Sequence, residues 1–203
     1  MKIIRADEKD LDLFAADELR FGACCFFSED RACKYFFVIN GREATLRANS
    51  EKYISRAIDE FLFYSGFIVA IKDAAGAVLA TRKPREPYPL KIADIQPSQF
   101  YLSETKLKSC KTWIKGPQDI FIPIAMREGR AISLDGHTRM RAALDLGFDF
   151  VNVYREDHDG LVFRFAEEAV RRQVNGVPDM RILNDDDYAL KWHKFCDDFL
   201  AQG

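Results

Sequence analysis

The sequence of 203 residues predicts an α+β protein in two parts, a small N-terminal unit followed by a larger mixed domain. Strand-like runs alternate with segments of helical spacing, prolines cluster at 84–89, and a strand, a tight turn and a helix follow one another at 132–147. With 48% hydrophobic residues and 17 Phe, the chain has enough apolar side chains to form folded cores.

The N-terminal unit, residues 1–83, is expected to be a compact α+β unit. The run Lys34-Tyr-Phe-Phe-Val-Ile39 is rich in β-forming residues, and Asn40-Gly41 behind it is the preferred two-residue hairpin turn. Asn49-Ser50 is suited to cap a helix whose apolar residues share one face. The expected elements are strands at 2–5, 34–39, 43–48, 67–71 and 77–81, and helices at 7–21 and 51–64.

Residues 84–90 are predicted to form a proline-rich linker. Pro84, Pro87 and Pro89 lie close together, and proline cannot continue a central strand or the interior of a helix. The C-terminal domain is therefore expected to span residues 91–203. Its expected elements are strands at 92–95, 120–126, 131–134 and 151–154, and helices at 104–114, 137–146, 161–174 and 185–200.

The turn Asp135-Gly136-His137-Thr138-Arg139 is the strongest functional feature of the sequence. An apolar run ends at Leu134, and helical spacing follows from His137 as far as Gly147. A helix start presents unpaired N–H groups and the positive end of the helix dipole, which together favour phosphate. Arg139 adds a planar set of donors suited to phosphate oxygens.

Each residue of this turn also has an ordinary structural interpretation. Asp135 or Thr138 is able to cap the helix, and Gly136 to serve the turn. Arg139 is able to remain in solvent. In a functional role, Asp135 is the natural acid for a metal ion or a substrate hydroxyl, while His137 either hydrogen-bonds a phosphate or orients Asp135. The sequence leaves these alternatives open.

The order of segments around the turn resembles the ParB/sulfiredoxin-like superfamily, in which a Gly-x-x-Arg turn at a helix start binds nucleotide phosphates. The resemblance covers residues 91–155 and, more loosely, the tail as far as Cys196. The form Asp-Gly-His-Thr-Arg is that of the small-molecule branch, which includes free serine kinases and uncharacterised relatives. It implies a ParB/sulfiredoxin-like mixed α/β domain in which Gly136, His137, Thr138 and Arg139 bind the phosphates of a nucleotide.

The same resemblance implies an activity and an alternative to it. A kinase of this branch would use ATP or ADP with Mg²⁺, with Glu104 and Asp135 as catalytic residues and Glu104 as the base for a hydroxyl substrate such as free serine. Glu104 alternatively supplies only a favourable charge to the first turn of its helix. A further alternative is that Gln99 holds the base position, in which case the base is missing. Ser98 and Gln99 are candidate pocket residues. The other function class is a nucleotide- or metabolite-binding module without turnover.

Other members of the superfamily fit the sequence less well. The formal net charge of −2 and the acidic run at 185–187 argue against binding to nucleic acid, and hence against a DNA-partition role. Sulfiredoxins need a cysteine in Gly-Cys-His-Arg, which this turn lacks. The opening strand and helix also resemble GNAT acetyltransferases, but that family's pyrophosphate loop has no counterpart here, so coenzyme A is not expected and the role of residues 1–83 stays open.

The cysteines and the start of the chain indicate the setting. The number of cysteines is odd, and the first residues lead into charged side chains and not into an apolar leader, so we expect a reduced, cytoplasmic protein. No apolar run is long enough to span a membrane. Core packing is the expected role of the cysteines, and a metal cluster is the alternative for the first three. They are Cys24, Cys25, Cys33, Cys110 and Cys196.

Overall fold

The computed structural model describes residues 1–6, 8–14, 24–83, 85–156 and 160–201. Contacts divide the chain into two compact units, Met1–Glu86 and Pro87–Gly203. Each unit combines a β-sheet with helices, so the predicted α+β class is confirmed. Within the described residues, no helix is both long and apolar enough to cross a membrane.

The first unit contains a six-stranded sheet in the order β1-β2-β3-β4-β5-β6. Neighbouring strands are antiparallel except β4 and β5, which are parallel because helix α1 connects them as a crossover. The bounds are β1 (Ile3–Arg5), β2 (Cys25–Ser28), β3 (Lys34–Asn40), β4 (Glu43–Ala48), α1 (Ile54–Tyr64), β5 (Ala70–Lys72) and β6 (Val78–Thr81).

The core of the first unit lies between α1 and the sheet. Phe37 of β3 stacks on Phe61 of α1 with ring centroids 4.1 Å apart, and Phe26 of β2 meets both rings edge-on. Strand β2 is buried at every position, which explains why it shows no alternation of apolar and polar residues in the sequence. A 3₁₀ helix spans Glu8–Leu13, and most of the helix predicted at 7–21 lies outside the described residues.

The second unit contains a five-stranded mixed sheet in the order β7-β12-β10-β11-β8 and a two-stranded parallel pair, β13-β9. Its strands are β7 (Tyr88–Lys91), β8 (Ile95–Gln96), β9 (Tyr101–Ser103), β10 (Phe121–Arg127), β11 (Arg130–Ser133), β12 (Phe150–Arg155) and β13 (Arg181–Leu183). Its helices are α2 (Glu104–Trp113), α3 (His137–Asp145), α4 (Leu161–Arg171), α5 (Asp185–Tyr188) and α6 (Lys194–Leu200).

Three expectations for the second unit differ from the structure. Residues 88–90 of the predicted linker belong to β7, where Pro89 is tolerated because β7 is an edge strand. The strand predicted at 92–95 is mainly a 3₁₀ helix, Ile92–Asp94, and β8 begins only at Ile95. The single helix predicted at 185–200 is interrupted by a π-helical turn at Ala189–His193.

Two helix-to-strand connections of the second unit are built alike. After α2, the carboxylate of Asp119 accepts the N–H groups of Lys115 and Gly116; after α4, Asp179 accepts those of Asn175 and Gly176. A 3₁₀ turn follows the glycine in both cases. Strands β9 and β10 flank α2, and strands β12 and β13 flank α4. The strand before each helix pairs in parallel with the strand after the other helix, β9 with β13 and β12 with β10.

Candidate functional site

The turn predicted from the sequence connects β11 to α3, as expected. Gly136 has φ +81°, in the left-handed region, and a Cβ on it would collide with Cδ1 of Ile122 in β10. Gly129 also has φ +81°, but a Cβ there would meet nothing within 4 Å. Gly136 is therefore required both by its backbone conformation and by the close approach of β10.

Gly136 is the N-cap residue of α3, and among the described residues no side chain caps the first turn of this helix. The N–H groups of His137, Thr138 and Arg139 find no acceptor in the described part of the chain, and the first helical hydrogen bond is donated by Met140 N–H to Gly136 O at 2.9 Å. The suggested capping roles of Asp135 and Thr138 are therefore wrong. By contrast, Ser103 caps α2 by accepting a hydrogen bond from Lys106 N.

Arg139 lies over the glycine of the turn. Its Nη2 and Nε are 3.1 and 3.2 Å from the position that a Cβ on Gly136 would occupy. Nη1 donates to Phe121 O at 2.8 Å, and Nη2 pairs with the carboxylate of Asp135 at 3.1 Å. The side chain of Arg139 is 23% exposed and that of Asp135 is 52% exposed, so this ion pair faces solvent at the helix start.

His137 points into the protein. It is 5% exposed, and its Nε2 accepts a hydrogen bond from Ser98 N–H at 3.1 Å and lies 3.0 Å from Ser133 Oγ. Burial lowers the pKa of His137 to about 4, with the Asp135 carboxylate opposing that shift and the Arg139 guanidinium adding to it. His137 is therefore neutral at physiological pH, and the interpretation that it orients Asp135 finds no hydrogen bond to support it.

The two pocket candidates lie in the loop between β8 and β9. Ser98 is buried, and its Oγ donates to Ser133 O at 2.6 Å, so its hydroxyl is already committed within the fold. Gln99 donates through Nε2 to Tyr101 O and to the hydroxyl of Tyr188 at 3.0 Å. The structure thus brings Ser98 to the turn through His137, while Gln99 connects the same loop to α5.

Glu104 is the first residue of α2 and its side chain is half exposed. It forms an ion pair with Lys108 at 2.8 Å, and none of its hydrogen bonds or ion pairs among the described residues involves residues 135–139. Cys110, six residues further along α2, is the residue of this helix whose pKa is affected by Asp135 and Arg139. Burial raises the pKa of this thiol to about 11, while Arg139 lowers it and Asp135 raises it. The base role that the resemblance implies for Glu104 therefore finds no hydrogen bond or ion pair to the turn among the described residues.

Sequence reasoning missed several residues around the turn. Ser133 and Gln96 are buried polar residues at the ends of β11 and β8, and Gln96 Nε2 donates to Pro97 O and Val174 O, both at 2.9 Å. Gln96 Oε1 is buried without a partner in the described part of the chain. Polar residues inside otherwise apolar strands were the signal that could have identified them.

Arg141, two residues beyond Arg139 in α3, has a structural role. Its Nε donates to Asp145 at 3.0 Å, and Lys111 of α2 pairs with the same carboxylate at 2.6 Å. Burial tends to raise the pKa of Asp145, but the hydrogen bonds from Lys111 and Arg141 lower it below its usual value. This network joins α2 to the end of α3 and keeps Arg141 away from the turn.

The cysteines form no disulfide among themselves. Cys24, Cys25 and Cys33 are buried, whereas Cys110 and Cys196 are partly buried. Among the described residues, no group of three or more His, Cys, Asp or Glu side chains is arranged to hold a metal ion.

No family model matches this chain, and no curated protein matches it. Among solved structures, protein Atu1540 from Agrobacterium tumefaciens is similar with a TM-score of 0.35 and 15% sequence identity, over 48% of this chain and 62% of that chain. The similarity thus spans less than two thirds of the Agrobacterium protein.

Proposed function

We propose that the second unit has the ParB/sulfiredoxin-like fold and binds the phosphate groups of a nucleotide at the first turn of α3. The observation that carries the proposal is the uncapped helix start with Arg139 beside it. Three N–H groups of α3 that find no acceptor among the described residues, together with the helix dipole, favour an anion at this position. The strand-turn-helix resemblance described above supports a nucleotide as the source of that anion.

The donors of Arg139 support the same proposal. A guanidinium has five N–H donors, and the side chain of Arg139 uses two of them, on Phe121 O and on Asp135. The remaining three have no acceptor among the described residues and are available to phosphate oxygens. Because Phe121 O fixes the guanidinium, little side-chain entropy is lost when a ligand binds.

Between the two function classes, the geometry supports a binding module better than an enzyme whose base is Glu104. Glu104 is paired with Lys108, and none of its hydrogen bonds or ion pairs with described residues reaches the turn. A second candidate, phosphoryl transfer from ATP or ADP with Mg²⁺ to a small hydroxyl compound such as free serine, is favoured by Asp135. This carboxylate is half exposed at the turn itself and pairs with Arg139, which places a general base of the right chemistry beside the proposed phosphate site.

Isothermal titration calorimetry with ATP, ADP and CTP, each with Mg²⁺, tests the binding site. Arg139→Ala should weaken nucleotide binding by about 2 kcal/mol, because charge-assisted hydrogen bonds are lost. Arg141→Ala is the matched control on the same helix, since Arg141 is held by Asp145, and its affinity should stay close to that of the wild type. Absence of nucleotide binding by the wild type, or equal losses in both variants, would refute the site.

Phosphorus NMR of the protein incubated with Mg²⁺, ATP or ADP, and serine tests the second candidate. Formation of phosphoserine that is lost in Asp135→Asn but kept in Glu104→Gln would support transfer with Asp135 as the base. Loss in Glu104→Gln alone would return the base role to Glu104. Nucleotide binding without any phosphorylated product would leave the binding module as the function of the site.

A further inference from the structure

A cluster of buried polar groups surrounds the imidazole of His137. Ser98, Ser133 and His137 are each no more than 6% exposed. Ser98 N–H lies 3.1 Å from His137 Nε2, and Ser133 Oγ lies 3.0 Å from the same nitrogen. The hydroxyl of Ser98 donates elsewhere, to Ser133 O. These contacts connect the β8–β9 loop, the end of β11 and the first residue of α3.

The hydrogen bond from Ser98 determines the state of the ring. A backbone N–H group is only a donor, so Nε2 must be an acceptor and cannot carry a proton. The neutral ring therefore carries its proton on Nδ1. A protonated imidazolium would place two N–H groups against each other at Nε2 and would lose this hydrogen bond. His137 thus works as a fixed acceptor between two segments that are far apart in sequence.

We infer that His137 is a positioning residue that holds the β8–β9 loop against the first turn of α3. The consequence for ligand binding rests on the proposed phosphate site, because that site is the same helix turn. Loss of this acceptor would release Ser98 from the residue that begins α3, and the hydrogen bond from Gln99 to the hydroxyl of Tyr188 connects the same loop to α5. In this role Nε2 accepts the hydrogen bond from Ser98 in the loop, whereas the N–H groups of α3 and Arg139 are the groups that contact the ligand.

Two variants separate anchoring from direct ligand contact. A glutamine side chain places its amide oxygen near the position of Nε2, whereas an asparagine places its amide near Nδ1. His137→Gln should therefore retain the acceptor for Ser98 N–H and bind ADP within about threefold of the wild type. His137→Asn should bind about tenfold more weakly and unfold at lower temperature, because a buried N–H is left without its acceptor.

Nitrogen-15 NMR of the histidine rings in the full chain gives an independent measurement. We expect His137 to show a protonated Nδ1 and an unprotonated Nε2, and the Nε2 resonance to stay in place when ADP is added. Protonation of Nε2, or affinity kept in His137→Asn and lost in His137→Gln, would overturn the inference. If the wild type binds no ADP, the proposed function fails, while the tautomer and the unfolding temperatures of the two variants still decide the anchoring role.

Discussion

Arg139 and His137 lie two residues apart in α3, and their surroundings assign them different tasks. The guanidinium lies at the surface of the turn beside Asp135, where its charge and its spare donors face solvent. The imidazole is buried and neutral, and it is committed to Ser98. Because His137 is neutral, the positive charge of this pair of residues lies on Arg139.

Replacement of Gly136 tests the construction of the turn. Gly136→Ala should lower the free energy of unfolding by about 3 kcal/mol, because a left-handed alanine is strained and its Cβ collides with Ile122. Gly129→Ala is the matched control, since it has the same φ of +81° and open space around it, and should lose only about 1 kcal/mol. Urea denaturation measures both values, and equal losses would contradict a role for the contact with Ile122.

The buried imidazole predicts a dependence of stability on pH. The pKa of His137 falls from its usual 6.5 to about 4 on folding, so between these values the unfolded chain binds a proton that the folded chain does not. The contribution of His137 to the free energy of unfolding is fully present above pH 6.5 and is lost as the pH falls towards 4. The total loss is about 3 kcal/mol.

Urea unfolding of the wild type and of His137→Gln at several pH values measures this contribution. Carboxylates such as Asp145, whose pKa is also lowered, act equally in both proteins, so the difference between the two curves isolates His137. The wild type should lose more stability than the variant between pH 6.5 and 4. Parallel curves would show that His137 takes up its proton in the folded state as readily as in the unfolded one.

The sequence predicted the position of the turn at residues 135–139 but not the direction of its side chains. Gly136 and the helical spacing after it are local signals, and they placed the start of α3 at His137. Whether His137 or Arg139 faces inward depends on where Ser98 and Phe121 lie in the folded chain. Such contacts between distant residues leave no periodic signal in one sequence, and the roles of the two side chains could not be separated without the structure.

Residues 115–119 and 175–179 are the two helix-to-strand connections in which an aspartate accepts two backbone N–H groups. They lead into β10 and β13, which both have a parallel partner. In each, one carboxylate oxygen satisfies two N–H groups that follow a helix, and a 3₁₀ turn leads directly into the next strand. The same chemistry at both places accompanies the crosswise pairing of β9 with β13 and of β10 with β12. The second unit therefore contains two strand-helix-strand segments arranged in the same way.

Replacement of the closing aspartates tests these connections. Asp119→Ala should destabilise the fold by about 1 to 2 kcal/mol because the N–H groups of Lys115 and Gly116 lose their shared acceptor. Asp119→Asn retains an oxygen acceptor and should lose less. Asp179→Ala should repeat the effect in the second connection. Thermal unfolding of the three variants provides the comparison, and a stability of Asp119→Ala equal to that of the wild type would contradict the assigned role.

Helices were easier to predict than short strands for a physical reason. The predicted starts at Glu104, His137 and Leu161 agree with α2, α3 and α4, since caps, glycines and a 3.6-residue period are all local. Strands β9 and β13 have three residues each, too few for an alternating pattern, and they are defined by pairing with each other. The π-helical turn before α6 likewise breaks the helical period without a glycine or proline to mark it.

The two units differ in how their strands are connected, and composition does not distinguish them. The first unit consists mostly of antiparallel neighbours, whereas the second depends on the parallel pairings of β10 with β12 and of β8 with β11. Both sheets draw on the same apolar and β-branched residues. The proline-rich stretch marks the change from one unit to the other, although the division falls between Glu86 and Pro87 and leaves β7 in the second unit.

Two fragments test whether the second unit is complete from Pro87 onward. The fragment 87–203 should fold cooperatively and bind ADP with the affinity of the full chain, because it retains β7 on β12. The fragment 92–203 lacks this edge strand and with it Tyr88 and Leu90, which pack against the core of the unit. Their loss should cost about 2 to 3 kcal/mol and leave the edge of β12 unpaired, so this fragment should unfold broadly or aggregate.

Circular dichroism during heating and calorimetry with ADP measure both fragments against the full chain. A cooperative transition in 87–203 and its absence in 92–203 would place the start of the second unit at the pairing of Tyr88 with Val153. Equal stability of the two fragments would show that β7 contributes nothing to the sheet. If 87–203 folds but does not bind ADP while the full chain does, residues before Pro87 contribute to the phosphate site, and the assignment of that site to α3 alone is wrong.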